Sequence, residues 1–195
     1  MPLEYGFSER LAMSSGVSAS ADVCTVLLEQ IPGAVGVSQA ATANDKQGID
    51  WWVELSTAKH LAIDAKVRQN DWAATHPDED DLALETWSVV EKNVPGWTRD
   101  AGKRCDYVLW LWADTGRFCL IPFPMLCKVF ESKWQLWSAQ YKTRRQFTPR
   151  QNGGYHSECV FVPRREIWAQ IFKQYGGNLV VKRDPWVAAY EAADA

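Results

Sequence analysis

The order of hydrophobic patterns along this chain predicts a mixed α/β (α+β) fold, with one central sheet flanked by helices. Two observations carry that prediction. Between residues 49 and 123, short apolar runs bounded by turn residues recur at strand length. On either side of them, longer stretches place apolar residues at helical spacing.

The elements follow in order. Residues 8–30, SERLAMSSGVSASADVCTVLLEQ, read as mostly helical. Ser8 caps the start, Val23, Val26 and Leu27 share a face, and the Ser/Gly stretch at 14–20 interrupts the helix. IPGAVG then reads as a turn and TANDKQG as a loop. IDWWVEL and HLAIDAKV, separated by STAK, have the spacing of a hairpin. LALETWSVV follows the acidic loop HPDEDD. CDYVLWLWA meets RFCLIPF across DTG, a second hairpin signal. PMLCKVFESKWQLWSAQYKT is predicted helical, with Met125, Val129, Phe130, Lys133 and Trp134 on one face. RRQFTPRQNGGYHS reads as a basic loop and ECVFVP as a short strand. RREIWAQIFKQYG is the last helix, closed by Gly176 and Gly177.

The 195 residues are expected to form a single domain, residues 1–195, with a C-terminal tail over 178–195. A chain of this length buries a core without disulfides or metals. Eleven tryptophans point to an aromatic-rich core, with some of them available to stack on bases. The net charge of −3 argues against a general nucleic-acid coat, but the charge is unevenly spread. Residues 71–91 hold Asp71, Asp78, Glu79, Asp80, Asp81, Glu85 and Glu91 with no Lys or Arg, whereas residues 133–183 hold ten basic residues against Glu158 and Glu166.

Five cysteines without a CxxC pair give no zinc ribbon, and three isolated histidines give no HExxH site. There is no GxxxxGK[ST], GxGxxG or GxSxG. The N-terminal MPLEYGFSER lacks the apolar run of a signal peptide, and the longest apolar region is broken by Asp114, Arg117 and two prolines. The expectation is a reducing, cytoplasmic setting with no membrane.

The chemistry is concentrated in GIDWWVELSTAKHLAIDAKVR, residues 48–68. Strand alternation sends Asp64 and Lys66 to one face with Ala62, and Ile63, Ala65 and Val67 to the other. The hairpin brings Asp50 to the same end of the sheet. Two neighbouring carboxylates repel, and burying either unpaired costs several kcal/mol. Such a cluster is tolerated when a divalent cation or the lysine neutralises it.

Asp50 followed by Asp64-x-Lys66 on the next strand resembles the PD-(D/E)xK nuclease superfamily. The segments ETWS, GWTRD, CDYVLWLW and YHSECVFVP resemble its small phage-type members, so the likeness spans about residues 8–175. The chain departs from the pattern in lacking a proline before Asp50 and in its long acidic insertion after Lys66. The resemblance implies a restriction-endonuclease-like mixed sheet with helices on each side, and a phage or mobile-element origin. It implies a catalytic set of Asp50, Asp64 and Lys66, joined by Glu9 of the first helical segment or by Glu85. Asp50, Asp64 and the carbonyl of Ala65 would hold Mg2+ (or Mn2+), since hard carboxylate oxygens suit these ions. Lys as a base needs a depressed pKa, whereas adjacent carboxylates raise it, so a charge-stabilising role is expected for Lys66.

The segment YKTRRQFTPRQNGGYHS interleaves Lys142, Arg144, Arg145 and Arg150 with Tyr141, Phe147 and Tyr155. That mixture suits phosphate contact and base stacking. The expected partner is DNA, with RNA left open, and a homodimer would be needed to cut both strands symmetrically. The rival reading is a non-catalytic binder or inhibitor of a host nucleic-acid machine, with residues 71–91 as a DNA mimic. A host protein is the partner in that case.

Overall fold

The computed structural model describes residues 21–45, 47–57, 59–150 and 153–175. Residues 8–20, the closing Gly176 and Gly177, and the tail at 178–195 lie outside the described residues. The mixed α/β class is as expected, but the strands form two sheets rather than one.

The first sheet begins after helix α1 (Ala21–Gln30) and contains β1 (Ala34–Gln39), β2 (Trp51–Leu55), β3 (His60–Arg68), β6 (Tyr107–Trp112) and β7 (Phe118–Pro122), in that spatial order. β1, β2 and β3 form an antiparallel meander, β6 lies parallel to β3, and β7 returns antiparallel. The second sheet is antiparallel throughout, in the order β5 (Val94–Pro95), β4 (Asp81–Val89), β9 (Gly153–Pro163), β8 (Thr143–Arg150). Helices α2 (Phe123–Gln140) and α3 (Arg164–Tyr175) complete the fold.

The first sheet is covered on both faces, which explains the unbroken apolar run of β6. On one face Val23 and Leu27 of α1 pack with Trp51, Val53, Ile63, Ala65 and Val67. On the other, Val108, Trp110 and Ile121 pack with Leu126 and Phe130 of α2, Ile167 of α3, and Leu82, Leu84, Val160 and Val162 of the second sheet. Ala62 belongs to that second core, so the face assignment expected for Asp64 and Lys66 agrees with the packing. The alternation of β4, with Leu82 and Leu84 buried between half-buried Asp81, Ala83 and Glu85, leaves the opposite face of the second sheet partly open.

Two local expectations are corrected. Residues 34–36, read as part of a turn, belong to edge strand β1, which pairs with β2. Its short AVGVSQ pattern carries a strand only because a neighbour supplies the hydrogen bonds. Residues 144–150 and 153–157, read as a loop, are strands of one hairpin. Polar side chains on both faces gave that segment no alternating apolar signal.

Two acids of the acidic segment, Asp71 and Asp80, are turned inward, whereas Asp78, Glu79 and Glu91 are exposed. Arg117 is 8% exposed and holds Asp71 through two bonds of 2.6 Å. It also reaches Asp80 at 2.7 Å, which Arg164 holds from α3 at 2.8 Å. Burial alone would raise the Asp71 carboxyl, but Arg117 and Thr115 outweigh it and hold it below its usual range. This network ties the β3–β4 connection to the β6–β7 turn and to the start of α3. Among the described residues, no helix is long and apolar enough to cross a membrane.

Candidate active site

β3 runs past the start of β2, and Asp50 stands where the strands part. Its backbone is pinned on both sides. The Asp50 N–H donates to Ile63 at 2.8 Å, and its carbonyl accepts from Ala40 at 2.8 Å. Its carboxylate then accepts the Ala65 N–H at 2.7 Å, replacing the missing strand partner.

Asp64 is 3% exposed and is ion-paired with Lys66, whose side chain is 26% exposed. The Lys66 ammonium sits 4.9 Å from the centre of the Trp97 ring, a cation–π contact. Burial pulls the Lys66 pKa down, but the ion pair with Asp64 and the nearby charge of Asp50 outweigh it, and the net shift is upward. Lys66 therefore remains an ammonium at neutral pH.

Glu85 reaches this corner from the second sheet. Its carboxylate accepts the Trp97 N–H at 2.9 Å. Burial raises its pKa, opposed by that hydrogen bond and by Lys66 and Lys103. The approach depends on Gly96, where an added Cβ would lie 2.1 Å from the Glu85 carbonyl oxygen. Gly48 is equally constrained. It has φ +72°, and a Cβ there would lie 2.9 Å from Lys103 and 3.6 Å from the Asp64 carboxylate.

Asp50, Asp64, Lys66 and Glu85 are thus brought to one corner between the sheets. Glu9 lies outside the described residues. The sequence reading did not single out Trp97, Lys103 or Arg68. Arg68 extends the Asp64–Lys66 series by another two residues, and that spacing was a usable signal. Cys159 of β9 pairs in register with Glu85 in the second sheet and lies within electrostatic reach of Lys66 and Arg68 of the first. Burial and Glu85 push its thiol up to about 12, while Arg68 and Lys66 pull the other way.

Among the described residues, no three His, Cys, Asp or Glu side chains converge as a metal cage. The available donors are the two carboxylates and the Ala65 carbonyl, which leaves β3 on the same side as the N–H bound by Asp50. That set suits Mg2+, which is held by one or two carboxylates and retains several waters.

The residues expected to bind nucleic acid lie on or beside the β8–β9 hairpin. Arg144 is 5.7 Å from the Phe161 ring centre, and Arg150 is 4.9 Å from that of Tyr155. Arg145 is bonded to Glu158 at 2.8 Å. The carbonyl of Lys142 accepts the Phe161 N–H. Comparison with known proteins gives no match to any family model, curated protein or solved structure.

Proposed function

We propose that this protein is a metal-dependent nuclease of the PD-(D/E)xK type that hydrolyses DNA phosphodiester bonds. The observation that carries the reading is the convergence of Asp50, Asp64 and Lys66 where β2 and β3 part, with Glu85 approaching from the second sheet. A structural salt bridge needs one acid and one base. Here Asp64 is buried against Lys66, with the charges of Asp50 and Glu85 nearby and Lys103 beside them, and polar groups gathered at a partly buried corner in this way are a common mark of a functional site.

Asp50 and Asp64, with the Ala65 carbonyl, would hold Mg2+ or Mn2+. Such an ion supplies an activated water and polarises the phosphate. Lys66, kept protonated by its acids and seated over Trp97, would stabilise the negative charge that develops on the phosphate oxygens. Glu85 is the third carboxylate of the corner. The inhibitor reading loses part of its support, because Asp71 and Asp80 are bound by Arg117 and Arg164 and only Asp78, Glu79 and Glu91 of that segment are exposed.

The test is cleavage of single-stranded, double-stranded and branched DNA, and of RNA, with Mg2+, Mn2+ or EDTA. Asp64→Asn and Lys66→Ala should each lower the rate by roughly 10²–10³-fold while circular dichroism stays native. Metal-independent cutting, cutting by either variant at the native rate, or no cutting of any substrate would remove the nuclease reading.

A further inference from the structure

The β8–β9 hairpin outruns the sheet that carries it. β4 pairs only with Glu158–Pro163 of β9, whereas β8 pairs with β9 all the way from Val160 to Gly153. Residues 146–150 and 153–157 therefore form a two-stranded arm with no third strand. At about 3.3 Å per residue, the arm reaches roughly 16 Å beyond the last paired residue of β4, with Glu91 alongside it at His156.

Its two faces differ. Directly opposed residues of antiparallel strands share a face. Glu85, Cys159 and Arg144 form one cross-strand row, since Glu85 pairs with Cys159 and Cys159 with Arg144. Gln146, Arg150 and Tyr155 continue that face along the arm. Arg145, Glu158, Phe147 and His156 lie on the other face, where Arg145 is bonded to Glu158 and Phe147 packs on His156 at 5.1 Å. The basic residues of this hairpin are thus not equivalent. Arg144 and Arg150 look toward the side on which Glu85 and Lys66 stand, each beside an aromatic ring. Arg145 looks away.

We propose that the open face of the second sheet and its projecting arm form a docking track for duplex DNA, which leads from the Lys66 corner through Arg144 to Arg150 and Tyr155. The choice of DNA as the polyanion rests on the nuclease reading; the track itself rests on the face assignment. The acids on this face are Glu85, at the site, and Asp81, beside Lys142 and Arg144. From the Glu85 row toward the end of the arm, the basic side chains of this face on β8 and β9, among the described residues, are Arg144 and Arg150. The major groove is about 12 Å wide and admits a two-stranded ribbon. The arm matches that width, with guanidinium groups spaced roughly 20 Å apart along it for backbone phosphates. A single strand would need a run of stacking rings, whereas among the described residues the strands of this arm face offer Tyr155 and Phe161.

The experiment is fluorescence anisotropy of a short labelled duplex in EDTA, where binding is read without cleavage. The duplex should bind more tightly than single-stranded DNA or duplex RNA of the same length. Arg144→Ala/Arg150→Ala should weaken duplex binding about tenfold or more and reduce the slope of log K against log salt by about two. Arg145→Ala should stay within about twofold of the native affinity. Arg144→Lys/Arg150→Lys, which keeps the charge with a similar fold, should retain most of the affinity. Unchanged affinity in the double alanine variant, an equal loss in Arg145→Ala, or tighter binding of single strands or RNA would overturn the track. Cutting with an affinity that ignores these substitutions would overturn the track and leave the site standing. Duplex binding with this pattern but no cutting would support the track and remove the nuclease reading.

Discussion

At the Lys66 corner and at the base of the arm, a carboxylate accepts the N–H of a strand that has outrun its neighbour. Asp50 takes the Ala65 N–H at 2.7 Å, and Glu91 takes the His156 N–H at 3.0 Å. The local geometry is the same but the surroundings are not. Asp50 stands beside Asp64 and Lys66 at the edge of a core, whereas Glu91 and His156 are both exposed, at 45% and 44%. Hydrogen bonds from the His156 side chain and backbone hold the Glu91 carboxyl down at about 2. Water can replace either group there. At the corner it cannot, so charged groups remain only with fixed partners in fixed positions. That contrast separates a rigid, preorganised site from an arm able to adjust to a ligand.

The comparison can be broken most forcefully at the buried network behind the site. Arg117→Met would leave Asp71 without its guanidinium partner and Asp80 with Arg164 alone. It should cost about 3–5 kcal/mol in urea denaturation. A loss below about 1 kcal/mol would mean that this buried network behaves like surface.

Next is the pair of carboxylate caps. Asp50→Ala leaves the Ala65 N–H without its acceptor and should cost about 1–3 kcal/mol of stability, apart from any effect on cleavage. Glu91→Ala should cost less in the same denaturation series. Equal costs would erase the distinction between the two regions.

Asp81 sharpens the contrast through pH. Burial, with Glu79 and Asp80 nearby, raises its pKa from 3.8 to about 6, against the pull of Lys142 and Arg144. A raised carboxyl pKa means that the folded state binds the proton more tightly. Its stabilising effect is therefore complete below about 3.8 and lost as pH rises through about 6. Asp81→Asn should flatten this part of the stability profile and gain on the order of 1 kcal/mol at neutral pH, screening by water keeping the figure low. An unchanged profile measured by thermal melts would refute the assignment. The smallest effect is expected from Arg145→Ala on the arm, whose Arg145–Glu158 pair is solvent-exposed on the arginine side. It should shift stability by about 1 kcal/mol or less.

Much of the corner was legible because its geometry is local. The i, i+2 rule placed Asp64 and Lys66 together, and the short STAK connection carried Asp50 to the same end. The same rule sends adjacent Trp51 and Trp52 to opposite faces, and the structure places Trp51 in the core with α1. Gly96 and Trp97 were visible as part of GWTRD, but not as the backbone that receives Glu85.

By itself, then, the sequence determined the mixed class, most strands and helices, and the Asp50–Asp64–Lys66 cluster, since each depends on residues close along the chain. Tertiary structure alone decided that there are two sheets, that Glu85 comes within electrostatic reach of Lys66, and that the acids at 71 and 80 turn inward to Arg117. It alone made residues 144–150 a strand, and it divided the arginines of the arm between two faces. These outcomes depend on pairings between distant segments, such as Glu85 with Cys159 and Cys159 with Arg144. A strand that is polar on both faces has no hydrophobic period to announce it, and the hydrogen bonds that define it come from a partner the local pattern does not name.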